Sequence, residues 1–165
     1  MESEECMKKG LAAVLLGVLF AFTAEAATVS LLVIETGVSY EQGVKQQSWV
    51  WENVLLDTCF DAGHVVVNSP LMRFQSKTHG EFPEEAEEEL HAARDWGADF
   101  FIVALLDYES GAQAPREIAL KLFRVSPYQK IYEQHFSGKR YSTAKEESDN
   151  LKIIARGLVP HLTDR

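Results

Sequence analysis

The spacing of apolar residues changes several times along this chain, and each change marks an element. From Thr28 to Thr36 the chain reads Thr-Val-Ser-Leu-Leu-Val-Ile-Glu-Thr. It is short, β-branched and apolar on both faces, the composition of a buried strand, and Gly37 ends it. From Glu41 to Ala62 the period lengthens. Val44, Gln47, Trp51, Val54, Leu55 and Thr58 recur at three- and four-residue steps and continue through Cys59 and Ala62, which predicts a helix with one buried stripe. Trp49 and Val50 fall beside that stripe, and Gly63 is a natural stop. His64 to Asn68 reads as a second strand. Ser69 to Phe82 reads as a loop, punctuated by Ser69-Pro70 and Gly80.

Pro83 then opens a second helix, at a position where its missing N–H costs nothing. Glu84, Glu85, Glu87 and Glu88 follow in the turns where the helix dipole favours acids. Ala86, Leu90, Ala93 and Trp96 make its apolar stripe, and Gly97 ends it. Ala98 to Tyr108 is apolar on both faces and belongs in the middle of a sheet. Glu117 to Val125 alternates, with Ile118, Leu120 and Leu122 on one face and Glu117 and Lys121 on the other. After the turn at Ser126 to Gln129, Lys130 to Gly138 supplies the antiparallel partner. A last helix begins at Thr143, with Glu146 completing a capping box, and Pro160 bends or ends it. The order β-α-β-α-β-β-β-α predicts an α/β (α+β) fold, with a mixed sheet and helices mainly on one face.

The start of the chain has a different character. Lys8 and Lys9 precede an apolar run from Leu11 to Phe22, and Ala24-Glu25-Ala26 follows. A basic start, a short apolar centre and a small-x-small exit are the parts of a secretory signal. Twelve helical residues reach about 18 Å, short of the roughly 30 Å hydrocarbon core. Residues 1–26 are therefore read as a signal peptide cleaved after Ala26, and residues 27–165 as one domain. Met7 stands directly before the lysines and is the expected start, since the acidic Met1 to Cys6 segment goes against the usual pattern. The mature protein is expected in the periplasm or secreted, with no integral membrane span.

Charge narrows the partners. The chain of 165 residues carries a formal net charge of −9, and removal of residues 1–26 leaves −7. Such a balance is poor for phosphate backbones, so nucleic acid is excluded as a ligand. The charge is unevenly placed. Residues 81–109 hold ten acids and one base, while residues 116–140 hold six bases and two acids. The six are Arg116, Lys121, Arg124, Lys130, Lys139 and Arg140, and they are the candidate docking surface for an acidic envelope partner. The alternative is that the two regions face each other or water.

Chemistry-bearing residues are present without a chemical pattern. His64, His79, His91, His135 and His161 have no zinc-type spacing, and no metal is expected. The run Glu84 to Glu89 is helical and lacks the glycine turn of a calcium loop. Ser69, Ser110 and Ser137 have no nucleophile-elbow context. Asp57, Asp99 and Asp107 are available carboxylates, and Asp99 is placed to bind backbone N–H groups at a strand start. Cys59 is left alone once Cys6 is removed, and reads as a packed, inert thiol. No catalytic residue and no cofactor is expected.

The order of elements, and above all Trp96-Gly97-Ala98-Asp99-Phe100-Phe101-Ile102-Val103, resembles a family. It is that of the periplasmic modules of the TolB amino-terminal domain, CsgG, LpoB and FlgT. There too a helix ends at Gly-Ala-Asp and runs into a central apolar strand, followed by a hairpin similar to Leu120 to Gly138. The resemblance covers most of residues 28–162. The chain departs from it at Glu35-Thr36, Ala104 and Pro127-Tyr128-Gln129. The shared positions serve packing, so no site residue is carried over. The resemblance implies a non-enzymatic module that binds protein partners in envelope or flagellar assembly. The alternatives are a small periplasmic hydrolase or ligand-binding protein, and a self-assembling subunit.

Overall fold

The computed structural model describes residues 26–41, 43–75 and 83–163, apart from the side chains of Glu84 and Glu85. Residues 1–25 of the leader, the start at Met7 and His79 lie outside them, and the expected cleavage point between Ala26 and Ala27 falls at their first bond. The strands are β1 (Thr28–Thr36), β2 (Val65–Asn68), β3 (Met72–Phe74), β4 (Phe100–Asp107), β5 (Glu117–Arg124) and β6 (Gln129–Ser137). The helices are α1 (Gln46–Asp61), α2 (Glu84–Asp95) and α3 (Ala144–Arg156), with a 3-10 turn at Val159–Thr163. Sheet order is β2-β1-β4-β5-β6, and β3 pairs with β1 beyond the end of β2. The pairs β1–β2, β1–β3 and β1–β4 are parallel, and β4–β5–β6 is antiparallel. The sheet is therefore mixed, as the element order predicts.

The topology follows from how the chain leaves β1. One crossover, through α1, lands on one side of β1. The next, through α2, passes over β1 and lands β4 on the other side. Right-handed crossovers running in opposite directions lie on opposite faces. Accordingly Trp51 and Leu55 of α1 and Leu151 and Ala155 of α3 pack with Leu31 and Ile102 on one face. Ala86 and Ala93 of α2 pack with Leu32, Phe101, Val103 and Phe123 on the other. Two of the three described helices share a face.

Three local differences from the sequence reading have physical causes. Helix α1 starts at Gln46, not Glu41, because the Lys45 backbone N–H donates to Glu35 Oε1 at 2.7 Å and holds that residue extended. β3 lies inside the segment read as a loop. Three residues are too few to show a period, and β3 is fixed by pairing with Ile34, Glu35 and Thr36. Trp96 leaves the stripe of α2: it stands at the helix C-cap and is 76% exposed. Elsewhere the local chemistry is as expected. Thr143 Oγ1 accepts from the Glu146 N–H at 3.1 Å, and Ser142 N–H donates to Glu146 Oε2 at 3.1 Å. Asp99 Oδ2 accepts the Thr28 N–H at 2.8 Å, tying the start of β1 to the start of β4.

Phe101 is fully buried between β1, β5 and α2. Its replacement by Ala removes a ring from the thinner of the two core layers. The expected cost is about 3–5 kcal/mol, read from the urea midpoint at unchanged slope.

Candidate functional site

In open α/β sheets, ligands bind outside the carboxyl ends of the strands, at the point where the crossovers diverge. Here that point lies beyond Thr36 of β1 and Asp107 of β4, which pair in register. The region is rich in polar groups, and they are turned on one another. Glu35 is fully buried and accepts from Arg73 Nε at 2.8 Å as well as from Lys45 N–H. Arg73 Nη2 reaches on to the carbonyls of Ser39 at 3.1 Å and Gly43 at 3.3 Å. Asp107 accepts from Thr36 Oγ1 at 3.3 Å and from Arg116 Nη2 at 3.0 Å. Ser48 Oγ and the Tyr108 hydroxyl lie 2.9 Å apart, and burial pushes the Tyr108 phenol well up from its ordinary range.

The backbone closes the remaining space. Gly37 has φ +74°, and a Cβ there would stand 2.0 Å from the Tyr108 carbonyl oxygen. The chain leaving β1 thus lies against the end of β4. What the sequence contributes is acids, bases and hydroxyls that satisfy one another within the fold. Arg116, half exposed, also borders a shallow hollow lined by Glu117, His135, Phe136 and Ser137.

The six basic residues of residues 116–140 are not brought into one patch. Arg116 meets Asp107, and Glu109 at 3.8 Å. Lys121 is buried beneath Glu133, 3.6 Å away across the β5–β6 ladder, and Lys130 meets the same carboxylate at 2.7 Å. The Lys130 ammonium, with help from His135 and Lys121, holds the Glu133 carboxyl below the usual carboxylate range. Arg124 lies at the far end of β5 on the opposite face, following the strand alternation. Lys139 and Arg140 are exposed just after β6, and Lys139 lies over the Tyr141 ring at 5.3 Å.

The histidines are dispersed. His64 is buried and its Nδ1 accepts from the Ala27 N–H at 3.2 Å. His135 sits between Glu117 at 3.0 Å and Glu133 at 3.2 Å, and His161 packs against Tyr132. Among the described residues no group of three or more His, Cys, Asp or Glu could hold a metal ion. Ser69 is buried after β2, Ser110 lies in an exposed turn, and Ser137 ends β6 in solvent. Among the described residues no helix is long and apolar enough to cross a membrane.

Trp49, which periodicity set beside the buried stripe, is half exposed, and the apolar surface beyond it is what sequence periodicity missed. Trp49 and Phe60 are exposed on α1, Val65 on β2 and Trp96 at the end of α2. Trp49, Leu56 and Phe60 recur at helical spacing on one flank of α1. Glu52, on the neighbouring line, accepts from Asn68 Nδ2 at 2.6 Å, which sets this flank over β2. The sequence reads His64 to Asn68 as a strand without placing it in the sheet, and β2 has a neighbour on one side alone among the described strands.

No family model and no curated protein matches the chain. Solved structures do. A PelC dodecamer from Paraburkholderia phytofirmans is 12% identical over 85% of this chain and 89% of that one, with a TM-score of 0.45. TolB from Acinetobacter baumannii is 9% identical over 82% of this chain and 28% of its own, at 0.42. The LpoB C-terminal domain from Escherichia coli is 12% identical over 78% of this chain and 94% of its own, at 0.41. The chain's resemblance to TolB- and LpoB-like domains is one of fold.

Two outcomes follow from this geometry. Gly37→Ala should cost about 2 kcal/mol or more in chemical denaturation, since it meets both a left-handed φ and a backbone oxygen. Burial pushes the Cys59 thiol up to about 11, so at pH 8 it is neutral as well as covered. In the folded protein the peptide carrying Cys59 should remain unalkylated by iodoacetamide, and in denaturant it should react within minutes; equal rates would contradict the placement.

Proposed function

We propose that this chain is an exported, non-enzymatic interaction module of the bacterial cell envelope, acting through protein contacts in envelope or flagellar assembly. The observation that carries the reading is the closed carboxyl end of the parallel strands. The groups best placed for chemistry there, Glu35, Arg73, Asp107 and Arg116, are engaged with one another. A hydrolase or small-ligand protein would place converging titratable groups in a cavity at that point. The Lys8-Lys9 start, the apolar run from Leu11 to Phe22 and the Ala24-Glu25-Ala26 exit support export, with a domain of residues 27–165 remaining. Exposed apolar side chains on α1, β2 and α2 support contact with macromolecules.

Within this reading the basic residues of the hairpin divide. Arg116, Lys121 and Lys130 neutralise acids of their own fold. Arg124 lies on the other face of the sheet. Lys139 and Arg140 are the pair we assign to an acidic region of the partner.

Expression of the full chain in a Gram-negative host tests the proposal. The protein released with the periplasmic fraction should have the mass of a chain beginning at Ala27. A photo-crosslinking residue at Ile153 or Tyr128, both exposed, should trap an envelope protein, and Lys139→Glu with Arg140→Glu should reduce the yield. A full-length mass confined to the cytosol, or hydrolase activity that tracks the purified protein, would overturn it.

A further inference from the structure

β2 is a four-residue strand, Val65–Asn68, at one edge of the sheet. Its bonds to β1 come from alternate residues: Val65 N–H donates to the Ala27 carbonyl and Ser69 N–H to the Leu31 carbonyl, each at 2.9 Å. Successive residues of a strand point their N–H and C=O groups to opposite sides. Val66 and Asn68 therefore direct theirs away from β1, to the side where β2 has no neighbour among the described strands. Such an edge is usually blunted by charge, proline or a bulge. Here Val65 is 56% exposed and Val66 and Val67 are partly so, and none of the three is charged.

The two sides of this edge differ. Val66 pairs with Val29 and joins the core layer of α1, next to the flank that carries Leu56 and Phe60. On the other side, Val67 faces a notch of about 100 Å³ between β2 and α2, walled by Pro70, Ala92, Ala93 and Trp96. That volume suits one aliphatic side chain. Glu89 stands at its rim, and among the described residues no basic side chain lines it. Glu88 and Asp95 lie on the same flank of α2, at helical spacing from Ala92, and both are exposed.

We infer that β2 accepts an extended segment of a partner protein in which aliphatic and basic residues share one face. The inference rests on the reading of the chain as a protein-binding module, and adds the docking edge and the partner's chemistry. Strand addition supplies main-chain hydrogen bonds, and pockets for alternate side chains supply selection. A strand of about five residues matches the length of β2. Its central side chain enters the notch, and lysines two residues to either side meet Glu88, Glu89 and Asp95. Its two remaining side chains lie on Leu56 and Phe60. Charge argues against a second copy as occupant. Two-fold pairing of β2 with itself would set both α2 helices on one face of the joined sheet, and would oppose their acidic flanks.

The probe is the acetylated amide Lys-Ile-Val-Ile-Lys, added to the protein purified from an exporting host. Binding should slow hydrogen exchange at the Val66 and Asn68 amides and weaken with salt. Three changes should each weaken it at least tenfold: N-methylation of the alternate peptide amides, Glu in place of both peptide lysines, and Glu88→Lys with Glu89→Lys in the protein. Trp96→Ala, at a residue too exposed to carry the fold, should do the same with an unchanged circular dichroism spectrum. Absence of binding at millimolar peptide would overturn the inference. So would equal binding of the N-methylated or Glu-bearing peptide, or prior protection of those amides by a second copy or by the chain's own residues. Processing at Ala26 and crosslinking from Ile153 do not involve β2, so failure here is distinct from failure of the export reading.

Discussion

A carboxylate with no exposure to water must be answered inside the protein, and Glu35 is answered from two sides at once. Arg73 neutralises it from β3, the Lys45 backbone donates to it from the entrance to α1, and Arg73 in turn gathers the carbonyls of Ser39 and Gly43. One ionic cluster thus fixes the third parallel neighbour of β1, the path of the chain after Gly37 and the first residue of α1. The closed carboxyl end of the sheet follows from it. Removing one member of such a pair leaves a stranded charge, which costs about 3–5 kcal/mol in comparable buried pairs.

The functional reading grows from that closure. Parallel strands converge their carboxyl ends, and with them the free polar groups of each strand, at a single place. Where those groups meet a ligand, the fold becomes an enzyme or a receptor for small molecules. Here Glu35 meets Arg73, Asp107 meets Arg116, and Ser48 meets Tyr108. Under the proposed function the surface assigned to recognition is the outside of the fold: the valine edge of β2, its aromatic flanks and the charged hairpin.

Much of the architecture was legible because it rests on local periodicity. β1 and β4 are apolar on both faces in sequence and buried on both faces in the fold. The capping box at Thr143 and the role of Asp99 were equally open to reading, since each depends on a few neighbouring residues. The candidate site was much less legible. Glu35 and Arg73 are 38 positions apart, and no spacing rule joins them. β3 exists because it pairs with β1, not because three residues have a pattern. The linear charge count was sound as arithmetic, yet it could not see that Lys121 faces Glu133 across the ladder. Nor does a run of valines reveal that the sheet stops there.

The double-mutant cycle of Glu35→Gln and Arg73→Met, followed by urea denaturation, addresses the central claim most directly. A cluster that closes the carboxyl end of the sheet should give a coupling of about 2 kcal/mol or more, with the double variant clearly more stable than the two single losses would add up to. Strict additivity of the two changes would mean that Glu35 and Arg73 do not act together, and the account of a sheet end sealed by its own charges would fail.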